Sequence, residues 1–200
     1  MNWQEATSEL RKKLDPSHVS PAKKFGPKGE YIEGWHAIAE ANRIFGFDGW
    51  SYTVMSCSCV SERPRPIGQD KKDGFGVTYT AQVRVIVDGV SREDVGAGHG
   101  YDLDCGLAHE SAIKEAITDA MKRALRTFGN PFGLALYDKS RENVGVDHTD
   151  ALNAHRAAFS AASTLQELGA AWAKVPRELQ HDLSPEKDTR KAALQQKDAA

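Results

Sequence analysis

Three basic side chains at helical spacing form the strongest candidate site in this sequence of 200 residues. Lys122, Arg123 and Arg126 fall within about 100° of one another on the polar side of a predicted helix. Like charges at this spacing repel one another, and Asp119 partly offsets that repulsion. A favourable interaction with the dipole at a helix C-terminus is the alternative explanation. The pattern indicates a surface that binds phosphate groups.

Two further basic elements lie outside this helix. The first is the pair Lys23 and Lys24, with Lys28 shortly after it, in a segment rich in proline and glycine. The second lies in a predicted long polar hairpin loop over residues 61–73 and comprises Arg63, Arg65, Lys71 and Lys72. Each element by itself fits a solvated surface, whereas together they could line a groove for a polyanion.

A second group of titratable residues precedes and opens the predicted long helix: His99, Asp102, Asp104 and His109. A catalytic or metal-binding role for this group would make the protein a metal-dependent nuclease or hydrolase. The spacing between these four residues, however, does not repeat as the spacing of metal ligands does. The three cysteines are Cys57, Cys59 and Cys105, and they include no CxxC pair. The cysteine pattern therefore argues against a cysteine zinc site and fits a reduced compartment.

Several functional classes are excluded by the motifs that the sequence lacks. It has no GxxxxGK[ST] phosphate loop and no GxSxG nucleophile elbow. The glycine-rich run at residues 96–100 (GAGHG) lacks the spacing of a nucleotide fingerprint, and we interpret it as a loop or bulge. We therefore expect no cofactor. The net charge of −2, from 26 basic and 28 acidic residues, excludes nucleic-acid binding by bulk positive charge and requires a local basic patch.

Hydrophobic periodicity predicts an α+β fold in which an antiparallel β-meander packs on one long helix. Predicted helices cover residues 1–14, 31–45 and 108–128. Predicted strands cover residues 50–60, 75–87 and 91–97, with Asp88 and Gly89 forming a tight turn. The second helix has an apolar stripe that comprises Ile32, Trp35, Ile38, Ala39, Asn42 and Phe45.

The composition changes after Lys139, where strand signals end. The sequence predicts a domain over residues 1–140, a linker over 141–150 and a small helical module over 151–200. A capping box that begins at Thr164 and the proline at position 185 mark helix starts in this module. No apolar run reaches the roughly 18 residues of a membrane span. The N-terminus also lacks the apolar stretch of a signal peptide, so we expect a cytoplasmic protein with no membrane partner.

Three sequence phrases identify a family resemblance. They are residues 31–34 (YIEG), 45–50 (FGFDGW) and 118–130 (TDAMKRALRTFGN). Two shorter phrases lie between them, at residues 93–96 (EDVG) and 114–116 (KEA). In their order and spacing these phrases resemble the Rad52 family of single-strand annealing proteins, over residues 5–140.

The resemblance implies a β-β-β-α core whose subunits join into a homo-oligomeric ring, with single-stranded DNA in a basic groove around the outside. Lys122, Arg123 and Arg126 match the inner DNA-binding positions of the family. Lys23 or Lys24 is the candidate for a basic residue that precedes the YIEG phrase. Because a ring repeats a small patch in every subunit, a nearly neutral chain can present a continuous basic track.

The family also has an outer DNA site, with lysines in the β-hairpin and just before the long helix. Gly74 falls near the hairpin position in this sequence, with Lys71 and Lys72 as substitutes. Asp102 and Asp104 occupy the region before the helix. The resemblance therefore does not imply an outer site of the same construction.

The function implied by the resemblance is ATP-independent annealing of complementary strands in homologous recombination and DNA repair. Bound phosphates leave the bases free to pair, and an ordered strand finds its complement at a lower entropic cost. The short helical module predicts a bacterial or phage-type member, working in the bacterial cytosol or nucleoid. This module could dock a host single-strand-binding or recombinase protein, or could form a cap on the ring. A structural oligomer with incidental DNA binding remains a further alternative.

Overall fold

The computed structural model describes residues 2–22 and 29–198. The predicted DNA-binding residues Lys23 and Lys24 lie outside the described residues. The chain divides into two compact units, Met1–Val146 and Asp147–Ala200. Within the described ranges, no helix is both long enough and apolar enough to cross a membrane.

The first unit contains the predicted antiparallel sheet. Helices α1, α2 and α3 cover Trp3–Arg11, Gly34–Phe45 and Cys105–Arg126. Strands β1 to β5 cover Val19–Ser20, Tyr31–Ile32, Trp50–Ile67, Lys72–Val87 and Val90–Asp102. Strands β3, β4 and β5 form one three-stranded antiparallel sheet in that order, and β1 pairs with β2. The α+β class and the three-stranded antiparallel sheet are confirmed.

The prediction of a long hairpin loop over residues 61–73 is wrong. Strand β3 continues to Ile67, with Arg63 opposite Gly76 and Arg65 opposite Gly74. The turn is confined to the residues between Ile67 and Lys72. Strand β3 is an edge strand, where a proline that lacks an N–H group is tolerated. The two prolines and the exposed polar residues of this segment therefore suit an edge strand as well as a loop.

The glycine-rich run at residues 96–100 is part of β5, so its interpretation as a loop or bulge is wrong. Gly96, Gly98 and Gly100 face α3, where a Cβ atom on any of them would overlap backbone atoms of the helix. The helix presents fully buried alanines at four-residue intervals: Ala108, Ala112, Ala116 and Ala120. Small residues on both sides let the strand and the helix backbones come into direct contact.

Helix α2 begins at Gly34 rather than at position 31, because Tyr31 and Ile32 pair with β1 instead. Its buried residues are His36, Ala37, Ala41 and Phe45. Trp35 and Ile38, which the predicted apolar stripe places in the core, are 71% and 38% exposed. The buried face is thus rotated away from the predicted stripe and leaves a large aromatic ring at the surface.

The region predicted as a linker begins inside the first unit. Leu14, beyond the end of α1, donates its N–H to the carbonyl oxygen of Asn143 at 2.8 Å. It also accepts a hydrogen bond from Gly145 N at 2.9 Å. The division at residues 140 and 150 stays a prediction.

The second unit is a small group of helices. Helices α4, α5 and α6 cover Thr149–Ala161, Leu165–Ala173 and Gln180–Asp198. Phe159, Leu168 and Leu183 are at most 4% exposed and belong to a separate hydrophobic cluster. Thr164 is the N-cap of α5, as the predicted capping box requires, since its Oγ1 accepts from Glu167 N at 3.1 Å; the Glu167 carboxylate accepts from Ser163 N at 2.6 Å instead of from Thr164 N. Helix α6 starts before Pro185, which lies inside it rather than at its first turn.

Candidate nucleic-acid interface

The three basic residues of the predicted site lie together at the C-terminal end of α3. Lys122, Arg123 and Arg126 line one small cavity of about 90 Å³. Strand β2 contributes Tyr31 to its wall, and the segment after α3 contributes Tyr137. The candidate site therefore combines three cations from one helix with two aromatic rings from other parts of the first unit.

Lys122 is held against β2. Its Nζ atom donates a hydrogen bond to the Ile32 carbonyl oxygen at 3.2 Å. The same atom lies 5.6 Å from the ring centroid of Tyr31, within the range of a cation–π contact. These contacts place the ammonium group beside the aromatic wall and leave two of its three N–H donors for a phosphate.

Asp94 on β5 binds both arginines. Arg123 Nε donates to Asp94 Oδ1 at 3.0 Å, and Arg126 Nη2 lies 3.8 Å from Asp94 Oδ2. The hydrogen bond to Asp94 raises the pKa of Arg123 above its ordinary value. Asp94 therefore orients the guanidinium of Arg123 through a hydrogen bond, and it neutralises part of the charge of both arginines.

Glu93 faces the opposite side of the sheet from Asp94, as the strand alternation predicts. It accepts a hydrogen bond from Arg84 Nε at 2.7 Å, and this contact lowers the pKa of Glu93. The two adjacent acidic residues thus serve two different ion pairs. Only Asp94 belongs to the candidate interface.

Arg126 also packs on an aromatic ring. Its Cζ atom lies 4.1 Å from the ring centroid of Tyr137, and its side chain is 19% exposed. A guanidinium held between a carboxylate and a ring keeps a fixed plane, which suits bidentate binding of a phosphate. Sequence reasoning missed Tyr137, because no local pattern links it to the helix that it contacts.

A larger open cleft of about 1150 Å³ adjoins this cavity and shares Asp119 and Lys122 with it. Its other walls come from the end of β3, the edge of β5 and the outer side of α3. Arg65 lies in this cleft with its Cζ atom 4.0 Å from the ring centroid of Tyr101. Lys114 adds another cation, which forms an ion pair with Glu110.

The acidic residues of the cleft bind the free edge of β5. Asp119 Oδ2 accepts from Ala97 N at 3.4 Å, and Glu115 Oε2 accepts from His99 N at 2.7 Å. These backbone amides have no neighbouring strand, because β5 is the last strand of the sheet. The carboxylates therefore have a structural role, and a polyanion would meet the basic residues beside them.

The other predicted basic residues lie apart from the three on α3. Lys71 and Lys72 are exposed at the β3–β4 turn, where Lys71 has φ of +49°. They line neither the small cavity nor the adjoining cleft. Arg65, predicted as one of four basic residues of a loop, instead reaches the cleft from within a strand.

The residues of the predicted nuclease site are not brought together. His99 Nδ1 bonds to Thr78 Oγ1 at 3.0 Å, on the face of the sheet away from α3. Asp104 is the N-cap of α3 and accepts from Leu107 N at 2.9 Å. Asp102 accepts from Asp104 N, also at 2.9 Å. His109 bonds to Tyr79 on the helix-facing side, so the two histidines are separated by the sheet.

Comparison with known proteins gives the family. A family model described as "Rad52/22 family double-strand break repair protein" matches residues 2–155. The chain belongs to the Rad52/22 family. The predicted family resemblance is therefore confirmed, and it covers the candidate interface on α3.

Several fungal members of the Rad52/22 family are similar to this chain. The DNA repair and recombination protein RAD52 of Kluyveromyces lactis is 43% identical over 135 residues, which are 66% of this chain and 30% of that protein. The RAD52 protein of Saccharomyces cerevisiae is 42% identical over 135 residues, 66% of this chain and 27% of that protein. The rad22 protein of Schizosaccharomyces pombe is 41% identical over 140 residues, 66% of this chain and 28% of that protein.

The chain thus spans less than a third of the length of these fungal relatives. They do not support the predicted bacterial or phage-type origin or the bacterial cytosol as the location. Both of these stay predictions from the sequence.

Proposed function

We propose that this chain binds single-stranded DNA and anneals complementary strands without ATP, in recombination and repair. The observation that carries the proposal is the joint placement of Lys122, Arg123 and Arg126 beside two aromatic rings. Membership of a family of double-strand break repair proteins supports it. The site has donors for phosphate oxygens and needs no bound cofactor to hold them.

In the proposed mechanism, phosphates replace Asp94 as the partner of the two arginines. Asp94 holds Arg123 and Arg126 in place before DNA arrives. A phosphate that approaches Lys122 can accept from the same guanidinium groups with a similar geometry. Because such contacts do not read bases, the bases stay available for pairing and sequence preference is slight.

We further propose that several chains assemble into a ring that joins their interfaces into one track. A net charge of −2 requires that the basic surface be concentrated locally and repeated. Trp35, in the first turn of α2, and Phe47, two residues after the end of α2, are 71% and 87% exposed. Large exposed aromatic residues of this kind are enriched at protein interfaces.

The test is annealing of two complementary oligonucleotides, in a chelator and without ATP. The wild-type chain is compared with Lys122→Ala/Arg123→Ala/Arg126→Ala. The matched control is Lys174→Ala/Arg177→Ala/Lys191→Ala, which removes the same charge from exposed positions of the second unit. Both variants are first checked for an unchanged assembled mass.

We expect fast annealing by the wild type and by the control, and loss of annealing by the α3 variant. Equal annealing by all three proteins would favour a structural oligomer with incidental DNA binding. Strand cleavage that requires a divalent metal would favour the nuclease alternative, although its two histidines lie on opposite sides of the sheet.

The second unit could dock a host single-strand-binding or recombinase protein. Its three helices enclose their own hydrophobic cluster, which supports an independently packed module. A pull-down with the full chain and with a chain that ends at Val146 tests this proposal. Equal recovery of partners by both chains would contradict it.

A further inference from the structure

A cluster of metal-ligating side chains lies near the start of α3, away from the candidate DNA interface. One ligand atom each from Cys59, Glu62 and His109 lies within 4.8 Å of the others. Among the side chains that the structure describes, no other group of three or more His, Cys, Asp or Glu residues meets this condition.

One distance in this cluster matches the spacing between two ligands of one small ion. His109 Nε2 lies 3.3 Å from Glu62 Oε2. Cys105 Sγ lies 3.9 Å from Glu62 Oε1, which places a second sulfur beside the group. Zinc bonds of about 2.0–2.3 Å in a tetrahedron set ligand atoms about 3.3–3.8 Å apart. Cys105 does not belong to the group whose ligand atoms all lie within 4.8 Å of one another, so its side chain would have to rotate to reach an ion bound by the other three.

Two separate features of the fold bring the residues of the cluster together. Cys105 and His109 are four residues apart on α3 and share one face of the helix. Cys59 and Glu62 are three residues apart on β3, a spacing that ordinarily sends side chains to opposite faces. An irregularity between Cys59 and Ser61 shifts the register, so that Cys59 lies opposite Tyr79 and Glu62 opposite Val77.

The histidine of the cluster is already oriented. Its Nδ1 atom bonds to the Tyr79 hydroxyl at 3.1 Å, which leaves Nε2 directed at Glu62. Histidine ligands of metals almost always donate their other ring N–H to a carboxylate, a backbone carbonyl or water, which fixes the tautomer and the ring plane, and a hydroxyl oxygen can accept in the same way. The hydroxyl of Tyr79 is therefore the expected acceptor for Nδ1–H of His109.

We propose that this cluster binds one zinc ion through Cys59, Glu62 and His109, with Cys105 as the fourth ligand. Thiolate and imidazole ligands select zinc over magnesium and calcium, which prefer oxygen ligands. Cys59 and Glu62 are exposed, so an ion can reach the site from solvent. The bound ion would join the outer part of β3 to the first turns of α3. The proposal is independent of DNA annealing.

The sequence argued against a cysteine zinc site because it contains no CxxC pair. The proposed site needs no CxxC pair, because its ligands come from β3 and α3, which are far apart in the chain. The sequence does contain one indication of the proposed site, the pair Cys105 and His109, whose spacing of four residues places both side chains on one face of a helix.

The test is zinc binding by the full chain, freed of metal and kept reduced with a non-thiol reductant. Zinc is titrated in competition with a chromophoric chelator, and bound metal is counted by elemental analysis after dialysis. The variants are Cys59→Ser and His109→Gln. The matched controls are Cys57→Ser, from the same strand outside the cluster, and His99→Gln, from the opposite face of the sheet.

We expect one zinc ion per chain, about 100-fold weaker binding in each cluster variant and unchanged binding in each control. Cobalt in place of zinc should give the absorption of a tetrahedral thiolate site, and Cys59→Ser should weaken it. Circular dichroism of the metal-free proteins checks that every variant is folded. Substoichiometric binding by the wild type would overturn the proposal, as would equal losses in Cys57→Ser and Cys59→Ser.

Discussion

At the level of single residues, Asp94 controls how much positive charge the candidate interface presents. It is 22% exposed at its side chain and contacts both arginines of the site. A carboxylate in this position orients its partners and competes with a phosphate for them. Orientation of the arginines favours phosphate binding, and competition for them opposes it. A substitution that removes only the charge of Asp94 shows which effect is larger.

Asp94→Asn should bind single-stranded DNA more tightly than the wild type at low salt. Removing the competing carboxylate should make the free energy of DNA binding more favourable by up to about 1 kcal/mol, the contribution of a partly exposed ion pair. This corresponds to a roughly five-fold increase in affinity. Fluorescence anisotropy with a labelled oligonucleotide measures it. Glu93→Gln is the control, because its partner Arg84 lies on the other face of the sheet. Weaker binding by Asp94→Asn would show that orientation outweighs competition.

The three cations of α3 should also determine how DNA binding responds to salt. Each phosphate contact on a single strand contributes about −0.7 to the slope of log affinity against log salt concentration. Removing Lys122, Arg123 and Arg126 should therefore reduce the magnitude of the slope by about 2 per subunit. Titrations at a series of salt concentrations give this slope. An unchanged slope in the triple variant would place the phosphates elsewhere.

His36 should make the stability of the fold depend on pH. It is 5% exposed, its Nε2 atom has no hydrogen-bond partner among the residues that the structure describes, and its ring lies 4.2 Å from that of His18. Burial lowers the pKa of His36, and His18 and Arg43 add to this effect, whereas Glu40 opposes it. The unfolded chain then binds more protons than the native chain below an unfolded pKa of about 6.5.

The free energy of unfolding should consequently fall as the pH drops below about 6.5. The decrease should end once the pH is below the lowered pKa that His36 has in the native protein. Urea unfolding at a series of pH values measures this dependence. His36→Gln, which cannot take up a proton, should show a flatter profile than His18→Gln. A wild-type profile that stays level through this range would contradict the expectation.

Residue types and helical spacing were sufficient to predict the trio on α3, because all three positions belong to one short periodic stretch. Asp94, Tyr137 and Tyr101 could not be predicted in the same way. Asp94 and Tyr101 reach the candidate interface and its adjoining cleft from β5, and Tyr137 from the segment after α3, so these contacts depend on strand register and on chain reversal after α3. Local sequence carries no signal for such contacts.

At the level of elements, the junction between β5 and α3 depends on residues that have almost no side chain. Gly98→Ala should lower the free energy of unfolding by about 1–3 kcal/mol, because its Cβ would overlap the backbone at Ala112 and Ala116. Chemical unfolding followed by circular dichroism measures the change.

Gly169→Ala is the contrasting substitution. Gly169 lies inside α5, and apart from its chain neighbours and the helix's own backbone no described atom lies within 4 Å of a Cβ at that position. Alanine there should stabilise the helix by about 0.5–1 kcal/mol. If Gly98→Ala were equally stabilising, the direct backbone contact between β5 and α3 would be refuted.

The two errors in the strands have one origin. Glycine, proline and exposed polar residues ordinarily signal loops; β3 contains two prolines, β5 contains three glycines, and both strands contain exposed polar residues. In β5 the glycines allow the strand to pack closely against α3, and in β3 the prolines lie on the unpaired edge of the sheet. Both features depend on tertiary structure, which local sequence does not show. The long helix was predicted to within three residues at each end, because its small and apolar residues repeat at the helical period.

At the level of the whole molecule, the exposed aromatic residues of the first unit predict self-association. Trp35→Glu/Phe47→Glu should lower the assembled mass, because two charges would have to be desolvated at the contact. Light scattering behind size-exclusion chromatography measures it. Leu165→Glu, at an exposed apolar position of the second unit, is the control. An unchanged mass in the double variant would place the subunit contact on another surface.

The direct contact between β5 and α3 also has a mechanical consequence. Where side chains separate two elements, rotamer changes let the elements shift slightly relative to each other. Between Gly96 and Ala120, or Gly100 and Ala108, no such adjustable layer exists. The strand that carries Asp94 and the helix that carries its arginine partners must therefore move as one stiff body. Strain applied to a bound DNA strand would pass directly into the sheet rather than dissipate at the helix.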